Sequence, residues 1–239
     1  MICAKGFFDL QLQFARSVTV LSGLPLARVL LEYTNFYIRF GLGRGFDPAH
    51  PIWQEYLAGL QDTSAGDGWT YRFYSSRPEA LAAPPVVAAC GCFSYSRLSN
   101  DRIRLHFQNA EIDGHSPLGI ERQGERLADL AALFGRIKRF ERQPLQVVGA
   151  SWLYNLHAYR RLFPAAYLAT AHVIEHRFQH MPLWGQFVNR YGEIKESMAH
   201  TFLDRLERQS SLVGLDRCFP FQVLSVEAST QEFYDFYGV

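Results

Sequence analysis

The segment His172-Val-Ile-Glu175-His176 has a spacing from which metal chemistry can arise, and His180 follows at the same interval. On a helix, residues four apart are neighbours, so His172 and His176 could share one zinc ion at about 2.0–2.1 Å while Glu175 activated a bound water. On a strand the two histidines would stand about 13 Å apart and could not share a metal. The chemistry therefore depends on the secondary structure.

Two hydrophobic periods compete in this segment. Helical spacing is shown by Tyr167, Ala171, Ile174 and Phe178. The alternation of a strand is shown by His172, Ile174, His176, Phe178 and His180. A helix starting at Pro164 would run into Pro182 without a cap. We therefore predict a strand and no metal site, and we keep a zinc-dependent hydrolase using residues 172–176 as an alternative.

A second candidate is the stretch from Leu145 to Pro164, which reads LQVVGASWLYNLHAYRRLFP. A continuously apolar strand ends at Ser151, and a short helix then presents Tyr154, Asn155 and Tyr159. These polar and aromatic side chains could line a cleft. They could equally pack the base of a sheet, with Asn155 capping the helix.

The order of elements from about residue 86 onward resembles the GNAT-like C-terminal domain of bacterial N-acyltransferases that also carry a helical N-terminal region. Ser151-Trp152-Leu153 at a strand end is the most specific match. Asn155-x-x-Ala158-Tyr159 is similar to the GNAT element in which an Asn and a Tyr lie beside the acyl-coenzyme A.

The resemblance implies transfer of an acyl group from a thioester to a small amine or amino acid. It places the cleft where the strand ending at Ser151 splays from the strand that carries His106. His106 or Glu111 is then the candidate base, and Tyr154 or Tyr159 is the candidate acid. Ser151, Trp152 and Asn155 are the candidate substrate contacts.

The expected donor is acyl-coenzyme A or another acyl thioester, with no metal. GNAT enzymes bind the coenzyme pyrophosphate through a Q/R-x-x-G-x-G/A loop. The corresponding residues 108–117 contain one glycine, and Pro117 removes an amide donor. A non-catalytic protein that binds a small ligand is a further alternative.

The surrounding elements predict an α+β fold with a helical N-terminal region, residues 1–61, packed on a GNAT-like mixed sheet flanked by helices, residues 69–239. Helices are predicted from the spacing of apolar residues and strands from alternation. The predicted helices cover residues 9–21, 25–40, 47–60, 116–137, 155–163 and 194–208, and the predicted strands 69–75, 86–98, 102–109, 145–150 and 219–227.

The charge balance does not favour nucleic acid or a membrane as the partner, and the small-molecule substrate is what the resemblance implies. The net charge is +1, with 24 basic and 23 acidic residues, so no overall field draws the chain to nucleic acid or to an anionic membrane. The N-terminal apolar stretch is broken at Asp9, too early for a signal peptide, and no apolar run reaches the length of a membrane span. We therefore expect a cytoplasmic protein with reduced cysteines, and the sequence does not predict its oligomeric state.

Overall fold

A computed structural model describes residues 3–62, 68–77, 86–110, 115–141, 143, 145–174 and 182–239. These residues form two compact units. The first contains the described residues up to 77 together with residues 182–221, and the second contains the described residues of 86–174 together with residues 222–239.

The elements are numbered in chain order. The α-helices are α1 (Lys5–Ser22), α2 (Leu26–Tyr33), α3 (Phe36–Arg39), α4 (Pro51–Asp62), α5 (Trp69–Ser75), α6 (Gln123–Phe140), α7 (His157–Arg160), α8 (Ala165–Ala169), α9 (Glu196–Glu207) and α10 (Thr230–Tyr237). The strands are β1 (Ala88–Cys90), β2 (Phe93–Arg97), β3 (Arg102–Phe107), β4 (Gln146–Ser151), β5 (His172–Val173) and β6 (Leu224–Ser229).

Helix α1 organises the first unit. Its buried face is almost entirely apolar, and it ends at Gly23, whose φ of 70° is readily adopted only by glycine. Phe14 on this face contacts aromatic residues from the segment 182–221, namely Trp184, Phe202 and Phe219, with ring centroids 5.2–5.6 Å apart. The predicted helices at the N-terminus and at 194–208 are confirmed.

The single helix predicted over residues 25–40 is wrong, because the structure divides it into α2 and α3. Thr34 Oγ1 donates to Leu30 O and accepts a hydrogen bond from the amide of Phe36. These side-chain bonds replace the backbone bonds of a continuous helix at this point. The buried Gln11 side chain accepts the amide of Asn35 at 2.9 Å. A residue distant in sequence therefore stabilises the break.

The strand predicted over residues 69–75 is also wrong, since these residues form α5. Aromatic residues fit both periods, but the buried positions are Thr70, Phe73 and Tyr74, which have helical spacing. The indole of Trp69 donates to Tyr56 O at 2.9 Å and attaches this helix to α4.

The second unit is built on a mixed sheet with strand order β1-β2-β3-β4-β6-β5. β3 and β4 are parallel, and every other neighbouring pair is antiparallel. The strands predicted within 86–98, 102–109 and 145–150 are confirmed, and the α+β class with them. The predicted final strand, 219–227, is displaced to β6.

Helices cover one face of this sheet. The rings of Phe134 in α6 and Phe233 in α10 are stacked 4.4 Å apart over the core. Helix α6 begins at Gln123, after a 3-10 helix over Ile120–Arg122, and not at the predicted Ser116-Pro117. The sequence analysis did not predict α10. Within the described residues, no helix combines the length and the hydropathy needed to cross a bilayer.

Candidate functional site

The parallel strands β3 and β4 pair over only half of their length. Their register runs from Arg102↔Gln146 to Arg104↔Val148, yet β3 continues to Phe107 and β4 to Ser151. Over the same residues β4 remains paired with β6, as far as Ser151↔Leu224. A gap in the hydrogen-bonded ladder therefore opens between the C-terminal halves of β3 and β4.

The backbone of Ala150 faces this gap. The amide of Gln146 donates to Asp101 O at 2.8 Å, so the backbone groups of Gln146 point toward β3. Because these groups alternate along a strand, those of Val148 and Ala150 point the same way. The ladder ends at Val148, so β3 supplies no partner for the N–H and C=O of Ala150. A chain with amide groups could pair with them.

Two tyrosine hydroxyls lie against β4 beside the gap. Tyr154 Oη and Tyr167 Oη are 2.8 Å apart and share a hydrogen bond. A side chain at position 149 would overlap with both hydroxyls, and its β-carbon would lie 2.6 Å from Tyr154 Cζ. Gly149 therefore permits the approach of the pair to the strand.

Burial is the main influence on the tyrosines of this cluster. It raises the pKa of Tyr154, Tyr159 and Tyr167. Tyr167 raises the pKa of Tyr154 further and Tyr154 that of Tyr159, while the hydrogen bond with Tyr159 lowers the pKa of Tyr154 in part. Tyr154 and Tyr159 are each 2% exposed. We expected them at the mouth of a cleft, but the structure places both rings in the core, where they contact each other at 5.1 Å.

His106 lies two residues beyond the last β3–β4 pair, opposite Ser94 of β2. Its Nε2 is 2.7 Å from Ser96 Oγ, and the tautomer decides which atom donates. Along β3 the side chain of His106 points away from the face that carries Leu105 and the tyrosine cluster. His106 and the hydroxyl pair therefore flank the gap from opposite faces of the sheet.

The predicted substrate contacts make local structural bonds. Ser151 Oγ accepts the amide of Leu153 at 3.1 Å and caps the 3-10 helix Trp152–Asn155. Asn155 Nδ2 donates to Trp152 O and to Gln222 O, each at 2.8 Å, and thereby connects this turn to the start of β6. Asn155 does not begin the following helix, because the N-cap of α7 is Leu156. Trp152 is half-buried.

Two of the predicted chemistries involve residues outside the described part of the chain. Glu111, the alternative base, is one of them, and Glu175, His176 and His180 of the histidine segment are the others. The strand prediction is confirmed for His172 and Val173, which pair with β6. Among the described residues, no group of three or more His, Cys, Asp or Glu side chains is arranged to hold a metal ion.

A cavity of about 380 Å³ lies at the opposite end of the same sheet. Its walls include Arg97, Phe140, Glu141 and Leu145, near the N-terminal ends of β3 and β4. The buried Glu141 carboxylate is already paired there with Arg97 and accepts the hydroxyl of Tyr95 at 2.9 Å. This end of the sheet contains none of the predicted site residues.

No protein family model, curated protein or solved structure matches this chain. The candidate site is therefore defined by the geometry of its residues alone. Two residues of that geometry, Gly149 and Tyr167, were missed by the sequence analysis. The available signal was the glycine inside an apolar strand, which often marks a close approach to the backbone.

Proposed function

We propose that this protein transfers an acyl group from a thioester to a small amine or amino acid, in a GNAT-like second unit, at the gap between β3 and β4. The observation that carries the proposal is the ladder that ends at Arg104↔Val148 while both strands run on for three residues. In a GNAT-like sheet, two splayed parallel strands expose backbone groups that pair with a pantetheine-like chain.

The chemistry follows from the groups around the gap. An amine attacks the thioester carbonyl, a C–N bond forms, the C–S bond breaks and its electron pair goes to sulfur. His106 accepts the proton that the amine loses, and Tyr154 gives a proton to the leaving thiolate. Solvent returns the proton from His106 to the tyrosine, so the products are an amide and a thiol.

The placement of these groups supports the proposal. His106 and Tyr154 flank the gap from opposite faces of the sheet, so a planar thioester held between the two strands would have one of them on each side. The backbone of Ala150 can hold the amide groups of the donor. The donor is acyl-coenzyme A or another acyl thioester, and the acceptor is small.

Thiol release tests the proposal directly. Purified protein is mixed with acetyl-coenzyme A or octanoyl-coenzyme A and a panel of amino acids and small amines, and the free thiol is measured with a disulfide reagent. We expect amine-dependent release with at least one pair. His106→Gln keeps a group that can bond Ser96, and it should lower kcat about 100-fold, the lower range for loss of a general base.

His157→Gln is the matched control, because His157 is exposed at the start of α7 and belongs to neither of the two strands that border the gap. Its rate should equal that of the wild type. If the thioesters raise the melting temperature but no amine releases thiol, the protein is a non-catalytic ligand-binding module. If they neither bind nor react, the acyl-transfer proposal is wrong.

A further inference from the structure

A cavity of about 390 Å³ lies between α2 and α4 in the first unit. The buried side chains of Leu31 and Trp53 form its floor, and the half-buried Leu57 lies on its wall. Arg28 and Gln54, which also line it, are exposed at its mouth. An apolar interior with a few polar groups at the opening is typical of small-molecule sites, and the volume lies within their usual range of about 300–1,000 Å³.

The mouth contains one ion pair, in which Arg28 Nε donates to Glu32 Oε1 at 2.8 Å. Among the described residues, Glu32 is the only hydrogen-bond partner of Arg28. A guanidinium has five N–H donors, so the edge formed by the two Nη atoms of Arg28 remains for a second acceptor. Such an edge binds a carboxylate through two parallel hydrogen bonds.

The first turn of α2 makes the same side of the cavity favourable for a negative charge. Pro25 is the N-cap of α2, and both Pro25 and Ala27 line the cavity. This turn contains no acidic side chain, and the amides at a helix N-terminus favour an anion nearby. Glu32, the acidic residue of the mouth, is already paired with Arg28. The mouth is therefore better suited to an anion than to a cation.

We propose that this cavity binds a small amphiphilic carboxylate, whose aliphatic chain lies on Leu31 and Trp53 and whose carboxylate is held by the Nη edge of Arg28. Burial of the chain provides the affinity, and Arg28 selects the charge. The cavity belongs to the first unit, whereas the gap between β3 and β4 belongs to the second. The inference therefore does not depend on acyl transfer.

Three probes with the same eight-carbon chain separate the effect of charge from that of the chain, namely octanoate, 1-octanol and octylamine. Each is titrated into the full chain by isothermal titration calorimetry near neutral pH, in the absence of any thioester. We expect octanoate to bind about tenfold or more tightly than 1-octanol, as for a gain of charge-assisted hydrogen bonds, and octylamine to bind most weakly. No binding of octanoate, or equal or tighter binding of either other probe, would overturn the proposal.

Arg28→Gln removes the charge of an exposed side chain and leaves Glu32 without its partner. We expect the affinity for octanoate to fall about tenfold or more, and the affinity for octylamine to rise because Glu32 can then hold the ammonium group. Arg44→Gln is the matched control, since Arg44 is an exposed arginine of the same unit that does not line the cavity. Equal affinities of the two variants for octanoate would contradict the role of Arg28 and overturn the proposal.

Ala27→Leu enlarges a half-buried side chain on the wall of the cavity. It should weaken the binding of all three probes, because the added volume occupies the space that the chain needs. Ala58→Leu makes the same change at an exposed position of α4 outside the cavity, and it should bind the probes like the wild type. If the two variants bind octanoate equally tightly, the probe occupies another part of the chain and the proposal is wrong.

Discussion

The hydroxyl of Tyr154 lies against the α-carbon of Gly149, in space that any side chain at position 149 would occupy. This contact joins the turn after β4 to the strand itself. It also brings a buried polar group next to the point where β3 and β4 separate. A glycine in the middle of an otherwise apolar strand is thus explained by the tyrosine that approaches it.

Gly149→Ala should destabilise the protein by about 1–3 kcal/mol, the usual range for overpacking a buried site. The added methyl group would overlap with the hydroxyls of Tyr154 and Tyr167, and both rings are held by the surrounding core. Urea unfolding followed by circular dichroism measures the change. Gly124→Ala is the control, because nothing lies within 4 Å of its position in α6 and alanine favours a helix. Equal stability of the two variants would contradict the contact.

Gln11→Leu should cost about 1–3 kcal/mol, since it leaves the buried amide of Asn35 without its acceptor at the break between α2 and α3. Gln13→Leu makes the same chemical change on the exposed side of the same helix and should alter stability by less than about 0.5 kcal/mol. Thermal melts of both variants provide the measurement. A Gln11 variant as stable as the Gln13 variant would show that the amide finds another acceptor.

Asn155→Asp should be more destabilising than Asn155→Ala. The amide nitrogen of Asn155 donates to two carbonyl oxygens, those of Trp152 and Gln222, and a carboxylate would face both as a third acceptor. Alanine only removes the two bonds, at a cost of about 1 kcal/mol. Asn100→Asp, at an exposed site after β2, serves as the control. The reverse order of the two Asn155 variants in urea unfolding would refute the donor assignment.

Cys90 should react with iodoacetamide more slowly at pH 8 than the cysteine of a short unstructured peptide does. The rate for Cys90 should continue to rise above pH 9. Burial raises the pKa of this thiol, while Arg136 lowers it in part. A raised pKa leaves less of the reactive thiolate at a given pH. Mass spectrometry of timed samples gives the rate for Cys90, which is the most accessible of the four free cysteines.

Arg136→Ala should slow this alkylation further, because it removes the positive charge that favours the thiolate. Arg139→Ala removes an equally exposed charge that is not among the influences on Cys90, and its rate should match the wild type. A faster reaction in the Arg136 variant would contradict the assigned cause.

Strong periodic patterns were sufficient to predict α1, α4, α9, β3 and β4 from the sequence, because each buries one face and its local period is unambiguous. Residues 69–75 have aromatic residues that suit both periods, and only packing against α4 and α1 makes them helical. Likewise, the break between α2 and α3 depends on Gln11, 24 residues away from its partner Asn35. Local patterns carry no information about such partners.

The candidate site divides in the same way. The sequence by itself determined an α+β chain of nearly neutral charge, with a strand ending at Ser151 followed by tyrosines. Only the tertiary structure decided that Tyr154 and Tyr167 pair, that Gly149 accommodates them, and that β3 and β4 stop pairing beside them. These features arise between segments distant along the chain, where register and packing of the whole sheet fix the distances. A local sequence pattern sets the period and the face of each strand, but it does not set where two strands separate.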